Sequence, residues 1–248
     1  MAHQFYFGTG NIYITPSGSN PTPISVAAIQ NASVDFDGDL KSLFGQNQFP
    51  LDTARGKVKV TGKFEVGQIN SSLWNAVFFG LTVSTGQTLQ ALNEANSVPA
   101  MSTYTVTVSN ASYFTQDLGV FYSATGLPLT RVASVTAVGQ YSVNTSTGVY
   151  TFYSGDASAA LLFNYEYTSS MTGKNLAVTN QLMGTIPVFR MDLNNNTKGK
   201  QSVLQLYACT SSKLQFPFKQ DDYGMQTFDF SVQDDGTGRI CNWATTEG

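Results

Sequence analysis

Charge is scarce in this chain: Asp, Glu, Lys and Arg make up 12% of its 248 residues, about half the ~25% of an ordinary soluble domain. With so little Lys and Glu, the surface must be covered by Ser, Thr, Asn and Gln, or by neighbouring subunits. The formal net charge of −3 argues against the clustered basic surface of a nucleic-acid binder. Histidine occurs once, at His3, where a chain end offers no fixed partners for catalysis or metal ligation, so a solvated tail is expected. The two cysteines, Cys209 and Cys241, stand far apart and are expected as reduced, buried thiols. No apolar run reaches the ~20 residues of a membrane-spanning helix. The opening "MAHQFYFGTGNIYITPSG" has no basic stretch followed by an apolar core. No secretory signal is expected from it, and an outer-membrane barrel, which would need one, is set aside.

Strand-forming residues fill the space that charge leaves. "FYFGTGNIYITP" alternates and stops at Pro16, and "PSGSNPTP" is a cluster of turn residues. "NASVDFDGDL" puts Val34, Phe36 and Leu40 on one face and Asp35, Asp37 and Asp39 on the other. "KVKVTGKFEV" puts Val58, Val60, Phe64 and Val66 on one face and Lys57, Lys59, Lys63 and Glu65 on the other. Paired antiparallel, the two runs set an acidic comb across from a basic one, and each opposite-charge pair contributes about 0.2–1 kcal/mol. Between them lies "LFGQNQFPLDTARGK", residues 43–57, far longer than the two to five residues or so of a hairpin loop. It carries Leu43, Phe44, Phe49 and Leu51, which a solvated loop has no reason to hold. "NSSLWNAVFFG", 70–80, predicts a short helix capped by Asn70 or Ser71, with Leu73, Trp74, Val77 and Phe78 as its apolar stripe and Gly80 at its end.

Residues 97–172 differ in composition. They hold eight of the twelve tyrosines and one basic residue, Arg131. "TYTVTVS", "GVFYSA", "QYSVNT", "GVYTFYS" and "AALLFNYEYTS" follow one another with turns between, the spacing of a small β-sandwich. They read as an inserted domain that divides the host into residues 1–96 and 173–248. After it "IPVFRMDL", "QSVLQLYA", "KLQFPF" and "QTFDFSVQ" resume the alternation, and "RICNWATTEG" adds a short final strand.

Signals for chemistry are few. "GTG" at 8–10 has no helix after it to hold a phosphate. "GDAS" at 155 and "DGTG" at 235 lack the spaced carboxylates of a calcium loop and read as turns. Four Asn-x-Ser sequons, at Asn31, Asn70, Asn110 and Asn144, have no meaning without secretion. Asp35, Asp37 and Asp39 share a strand face, but with no histidine beside them a surface charge ladder outweighs acid–base or metal chemistry. Neither an enzyme nor a cofactor is expected.

"SVDFDGDLKSLFGQNQFPLDTARGKVKVTGKFEVGQINSSLWNAVFFG" and "NQLMGTIPVFRMDL…KGKQSVLQLYACTSSKLQFPFKQDDYGMQTFDFSVQ" together resemble the tail tube proteins of tailed bacteriophages. The likeness is carried by the "FGQNQFP…ARGK" loop, the strand leading into the "INSSLWNAVFFG" helix, and "SSKL…DDY…FDF". The Tyr-rich insert, with "GQYSV…GVYTF…DAS", resembles the Ig-like add-on β-domains of phage structural proteins. The resemblance implies a tail-tube-type β-sandwich or barrel with one flanking helix, assembled as six-fold rings that stack into a tube. Each subunit would give strands to a barrel lining a channel through which double-stranded DNA passes without specific binding. It implies that residues 41–56 reach the adjacent ring, with Leu43, Phe44, Phe49 and Leu51 as apolar contacts and Arg55 as an anchoring charge. Asp35, Asp37, Asp39, Lys57, Lys59 and Lys63 would face the lumen. Sheath, baseplate and terminator proteins are the further partners implied, no membrane is, and the location would be the virion tail, assembled in the bacterial cytoplasm. Two other readings stand beside it: another tube-fold component of a phage or injection machine, and a carbohydrate-binding β-module suggested by the tyrosines.

Overall fold

Period-two alternation produces strands almost throughout. The computed structural model, which describes residue 5 and residues 7–246, is mainly β: 56% strand and 6% helical, with one short helix. His3 lies outside the described residues. In chain order the elements are β1 (Asn11–Pro16), β2 (Ile24–Val26), β3 (Ile29–Phe44), β4 (Pro50–Val66), the helix α1 (Ser71–Trp74), β5 (Ser84–Ser97), β6 (Thr105–Thr107), β7 (Phe114–Tyr122) and β8 (Thr130–Arg131). Then come β9 (Gln140–Asn144), β10 (Val149–Phe152), β11 (Ala160–Asn175), β12 (Phe189–Thr197), β13 (Lys200–Gln215), β14 (Gln226–Gln233) and β15 (Cys241–Thr245). The chain divides into two units: one runs up to Val83 and resumes at Leu176, and the other is Ser84–Asn175.

The first unit is an eight-stranded sheet in the order β2-β1-β12-β13-β14-β4-β3, with β15 also pairing β13. Strand β13 is long enough to use both edges: β12 takes one, while β15 and then β14 share the other. "QSVLQLYA" and "KLQFPF" therefore belong largely to one strand, not two. One sheet face supplies Ile12, Ile14, Phe64, Phe189, Met191, Leu206 and Phe228 to a single core. Phe64 and Phe228 stack there at 4.7 Å and 7°, on neighbouring strands where each faces the other in register. Cys209 is buried in this core, its thiol pushed up to about 12 by burial first and Asp192 second. Cys241 is free and only partly buried.

The helix closes the core. Asn70 accepts from the Ser72 and Leu73 amides at 3.1 and 3.2 Å, satisfying two of the donors a helix start leaves open. It is shorter than its stripe predicts: α1 has four residues and then widens into a π turn, Asn75–Phe79. The Asn75 side chain accounts for the change, since it bridges the Leu81 amide and carbonyl at 2.6 and 2.5 Å. Gly80, at φ 64°, ends the turn in the left-handed region as expected. Leu73 and Val77 enter the core, and Trp74 meets Phe216 edge-on at 4.9 Å.

The second unit has two sheets, β6-β10-β9-β8 and β5-β11-β7, which share one core of Val106, Val120, Tyr141, Tyr150, Phe163 and Tyr165. Its aromatic content is therefore mostly internal, and each buried phenol finds a carboxylate. Tyr141 and Tyr150 donate to Asp117 at 2.8 and 2.9 Å, Tyr122 donates to Asp156, and Tyr165 to Glu94. This unit begins at Ser84, earlier than residue 97, because β5 pairs along its length with β11. Residues 94–97, at the expected boundary, are the end of that strand. Its two ends lie together: Ser84 faces Asn175 in register, and the Ser84 hydroxyl donates to the Asn175 carbonyl at 3.3 Å.

Two outcomes are expected. Excising Ser84–Asn175 and joining Val83 to Leu176 through a short Gly/Ser linker leaves soluble first unit with its aromatic circular-dichroism signal. Excising 97–172 instead strands β5 without a partner and gives insoluble protein. The second outcome concerns pH. Burial first and the Asp156 carboxylate second push the Tyr122 phenol up to about 12, and burial likewise pushes Tyr141 and Tyr150 upward. These phenols are neutral below pH ~10 in both folded and unfolded chains, so their contribution is complete there and is lost as pH rises through the folded values. Absorbance at 295 nm should show these tyrosines ionising late and together with loss of β circular dichroism.

Candidate functional site

The β3–β4 hairpin is the feature that the sheet does not absorb. Its connection is not the long loop that residues 43–57 suggest. Strand pairing continues to Phe44 opposite Pro50, which leaves a five-residue loop, 45–49. The third strand, β14, pairs β4 only as far as Val232 opposite Val60. Beyond Val60 the hairpin is a two-stranded ribbon, and every residue of β4 from Pro50 to Lys59 is exposed.

The register fixes which side chains share a face. Phe36 lies opposite Val60 and Gly38 opposite Val58, while Asp37 lies opposite Lys59 on the other face. At Asp39 the ladder slips: Gly38 pairs Val58 and Leu40 pairs Arg55, so Gly56 and Lys57 together face Asp39. This is a β-bulge, and a Cβ on Gly56 would sit 3.3 Å from the Asp39 carbonyl oxygen. Arg55 then falls on the apolar side, its Cδ about 3.4 Å from where a Gly38 Cβ would be. Phe36, Val58, Leu40 and Phe44 carry the apolar face beyond the core, interrupted by Arg55 and by the Ser42–Thr53 pair. All are at least half exposed, and Phe49 at the tip is 80% exposed. Leu43 and Leu51 are exposed beside it. All four apolar residues singled out at the tip, and Arg55, thus sit on one protruding arm.

The comb-against-comb pairing is corrected by the register. Among the described residues no ion pair joins Asp35, Asp37 or Asp39 to Lys57, Lys59 or Lys63. Only Asp37 and Lys59 are directly opposed; Asp35 faces Thr61, and Lys63 faces Ser33. Asp39 pairs instead with Lys41, at 2.7 Å. On its other side Lys63 faces Asp229 of β14, with Glu65 at 3.7 Å. Lys213 approaches the same Asp229 at 4.0 Å. Asp229 and Lys213 were not legible as partners, because their placement depends on strand order rather than local alternation.

Two arginines of the first unit, Arg190 and Arg239, are held by carboxylates. Arg190 donates to Asp192 at 2.7–3.1 Å, which raises the guanidinium's already high value. Arg239 binds Asp235 at 2.7 Å, and both guanidinium carbons lie against the Tyr207 ring, 5.4 and 4.6 Å from its centroid. Asp235 is held well below the usual carboxylate range, first by the Thr237 hydroxyl and further by the Thr237 amide and Arg239. The "DGTG" stretch is thus a turn closed on Asp235. Among the described residues no group of three or more His, Cys, Asp or Glu is placed to hold a metal ion.

Where the hairpin leaves the core, the sheet curls far enough for β3 to face β12, β13 and β15. A cavity of about 440 Å3 opens there, lined by Ala32, Val34, Phe36, Leu193, Leu204 and Trp243 among others. Trp243 donates its indole N–H to Ser202 at 2.9 Å. The chain matches no protein-family model and no curated protein.

Since residues 35–59 are all exposed, the tip contributes little to stability. Replacing Leu43–Asp52 by Asn-Gly recloses the ribbon at the Ser42–Thr53 pair through a two-residue turn. Thermal unfolding of this variant should stay within about 0.5 kcal/mol of the parent; a larger loss would mean that the arm packs on its own subunit.

Proposed function

We propose that this chain is a structural subunit of a bacteriophage tail tube, in which hexameric rings stack and their common lumen conducts the genome. The observation that carries the reading is the arm: a ribbon whose apolar stripe continues past the end of its own sheet. An isolated two-stranded hairpin is marginal in water, and exposed apolar surface of this extent marks an interaction site. Residues 41–56 are the segment that the phage resemblance assigns to contact between rings.

The polar sheet face supports the second half of the reading. Each phosphate neutralised by a Lys or Arg adds salt-dependent affinity for DNA, so a conducting channel must withhold its cations. Here Lys63, Lys213 and Arg190 each have a carboxylate within 4.0 Å, and Lys59 has Asp37 opposite. Partial neutralisation of this kind lowers the affinity of such a face for DNA. Tyr141, Tyr150 and Tyr165 of the second unit are core residues and cannot stack on a sugar, which leaves Tyr113 and Tyr153 as its exposed tyrosines.

Negative-stain microscopy of the purified chain tests the proposal. Six-fold rings or tubes are expected at micromolar concentration, and the variant lacking Leu43–Asp52 should give shorter assemblies or single rings. Isolated particles from the parent chain at every concentration would overturn it.

A further inference from the structure

We infer that the cavity at the root of the hairpin is the receptor for the hairpin tip of a second copy of this chain, an assignment that rests on the tube reading above. The two surfaces are chemically matched. The tip offers Leu43, Phe44, Phe49 and Leu51, and the cavity is walled by Val34, Phe36, Leu193, Leu204 and Trp243. An apolar cavity of ~150 Å3 accepts one benzene ring, so about 440 Å3 admits a phenylalanine together with a leucine.

A chain cannot serve itself. Phe44 lies eight positions beyond Phe36 along one strand, ~26 Å at 3.3 Å per residue, and the pairing with β4 keeps the ribbon extended. The arm is also large enough to matter. At 60% and 80% exposure, Phe44 and Phe49 alone present ~300 Å2. Residues 39–56 approach the ~20 residues per side of a standard interface. Tip and root are different patches on one molecule, so the joint is heterologous and propagates until it closes into a ring or extends as a filament. The aromatic slot beside Trp74 is the competing receptor, but Phe216 already packs edge-on against that indole.

The test separates this inference from the reading beneath it. Phe49 is replaced by the photo-cross-linker p-benzoylphenylalanine and the assembled protein is irradiated. Cross-links to residues 193–204 or 243 of another copy are expected. In parallel, F49D and W243E are purified apart, each with circular dichroism matching the parent. Each should stop at the size reached by the hairpin-truncated chain, while mixing them should create one joint, doubling that size and going no further. L204E serves as the receptor-side variant if W243E fails to fold. Tubes that cross-link at Trp74, Phe216 or Phe218, or a mixture no larger than its components, would overturn the receptor and leave the tube reading standing. A parent chain that never multimerises would overturn both.

Discussion

The three-stranded support of β4 ends at Val60, and most of what distinguishes this molecule follows from that. Up to Val60 the strand has β14 on one edge, β3 on the other and a core beneath, so its apolar face is buried. Past Val60 the backbone still pairs with β3, but among the described residues no third strand pairs with it and its side chains are exposed. The side-chain pattern does not acknowledge the change. Val58, Leu40 and Phe44 continue the apolar face of Val60 and Phe36 into solvent, where their burial can come only from outside the chain.

The same economy explains the low charge. In the second unit, Asp117 and Asp156 are spent inside as acceptors for tyrosine phenols and backbone amides. A buried carboxylate with several donors is tolerable where an isolated one is not, and these networks fix the positions of the aromatic core. The first unit keeps its charges on the surface, where most of its ion pairs join near neighbours in sequence and Lys213–Asp229 crosses between strands.

Much of this was legible in the sequence. Alternation located nearly every strand, and the Asn70 cap and Gly80 stop were read correctly because both signals are local. The interruption of the helix was not, since it depends on Asn75 reaching Leu81. The connection reads as long because the alternating runs stop at Leu40 and restart at Lys57, yet pairing continues to Phe44 and Pro50, with Gly56 in a bulge within the ladder. Likewise the insert reads as beginning at residue 97, although β5 carries it back to Ser84 through a pairing with β11 that local sequence does not show. Apolar residues at the tip were noticed as misplaced, and that anomaly located the candidate surface. Its cavity was invisible, since β3, β12, β13 and β15 meet only through the curl of the sheet.

The bulge at Asp39 has a consequence for how the arm is presented. A bulge bends and twists the strand that carries it, so the direction in which the ribbon leaves the sheet is set by the backbone at Gly56 and Lys57 before any partner arrives. Orientation entropy that a floppy loop would surrender on docking has already been lost during folding. Arg55 reinforces this by lying across Gly38 at the bend. The arm behaves as a bracket cast at a fixed angle, and a residue at Gly56 that straightened it would leave every contact group intact while pointing them at the wrong place.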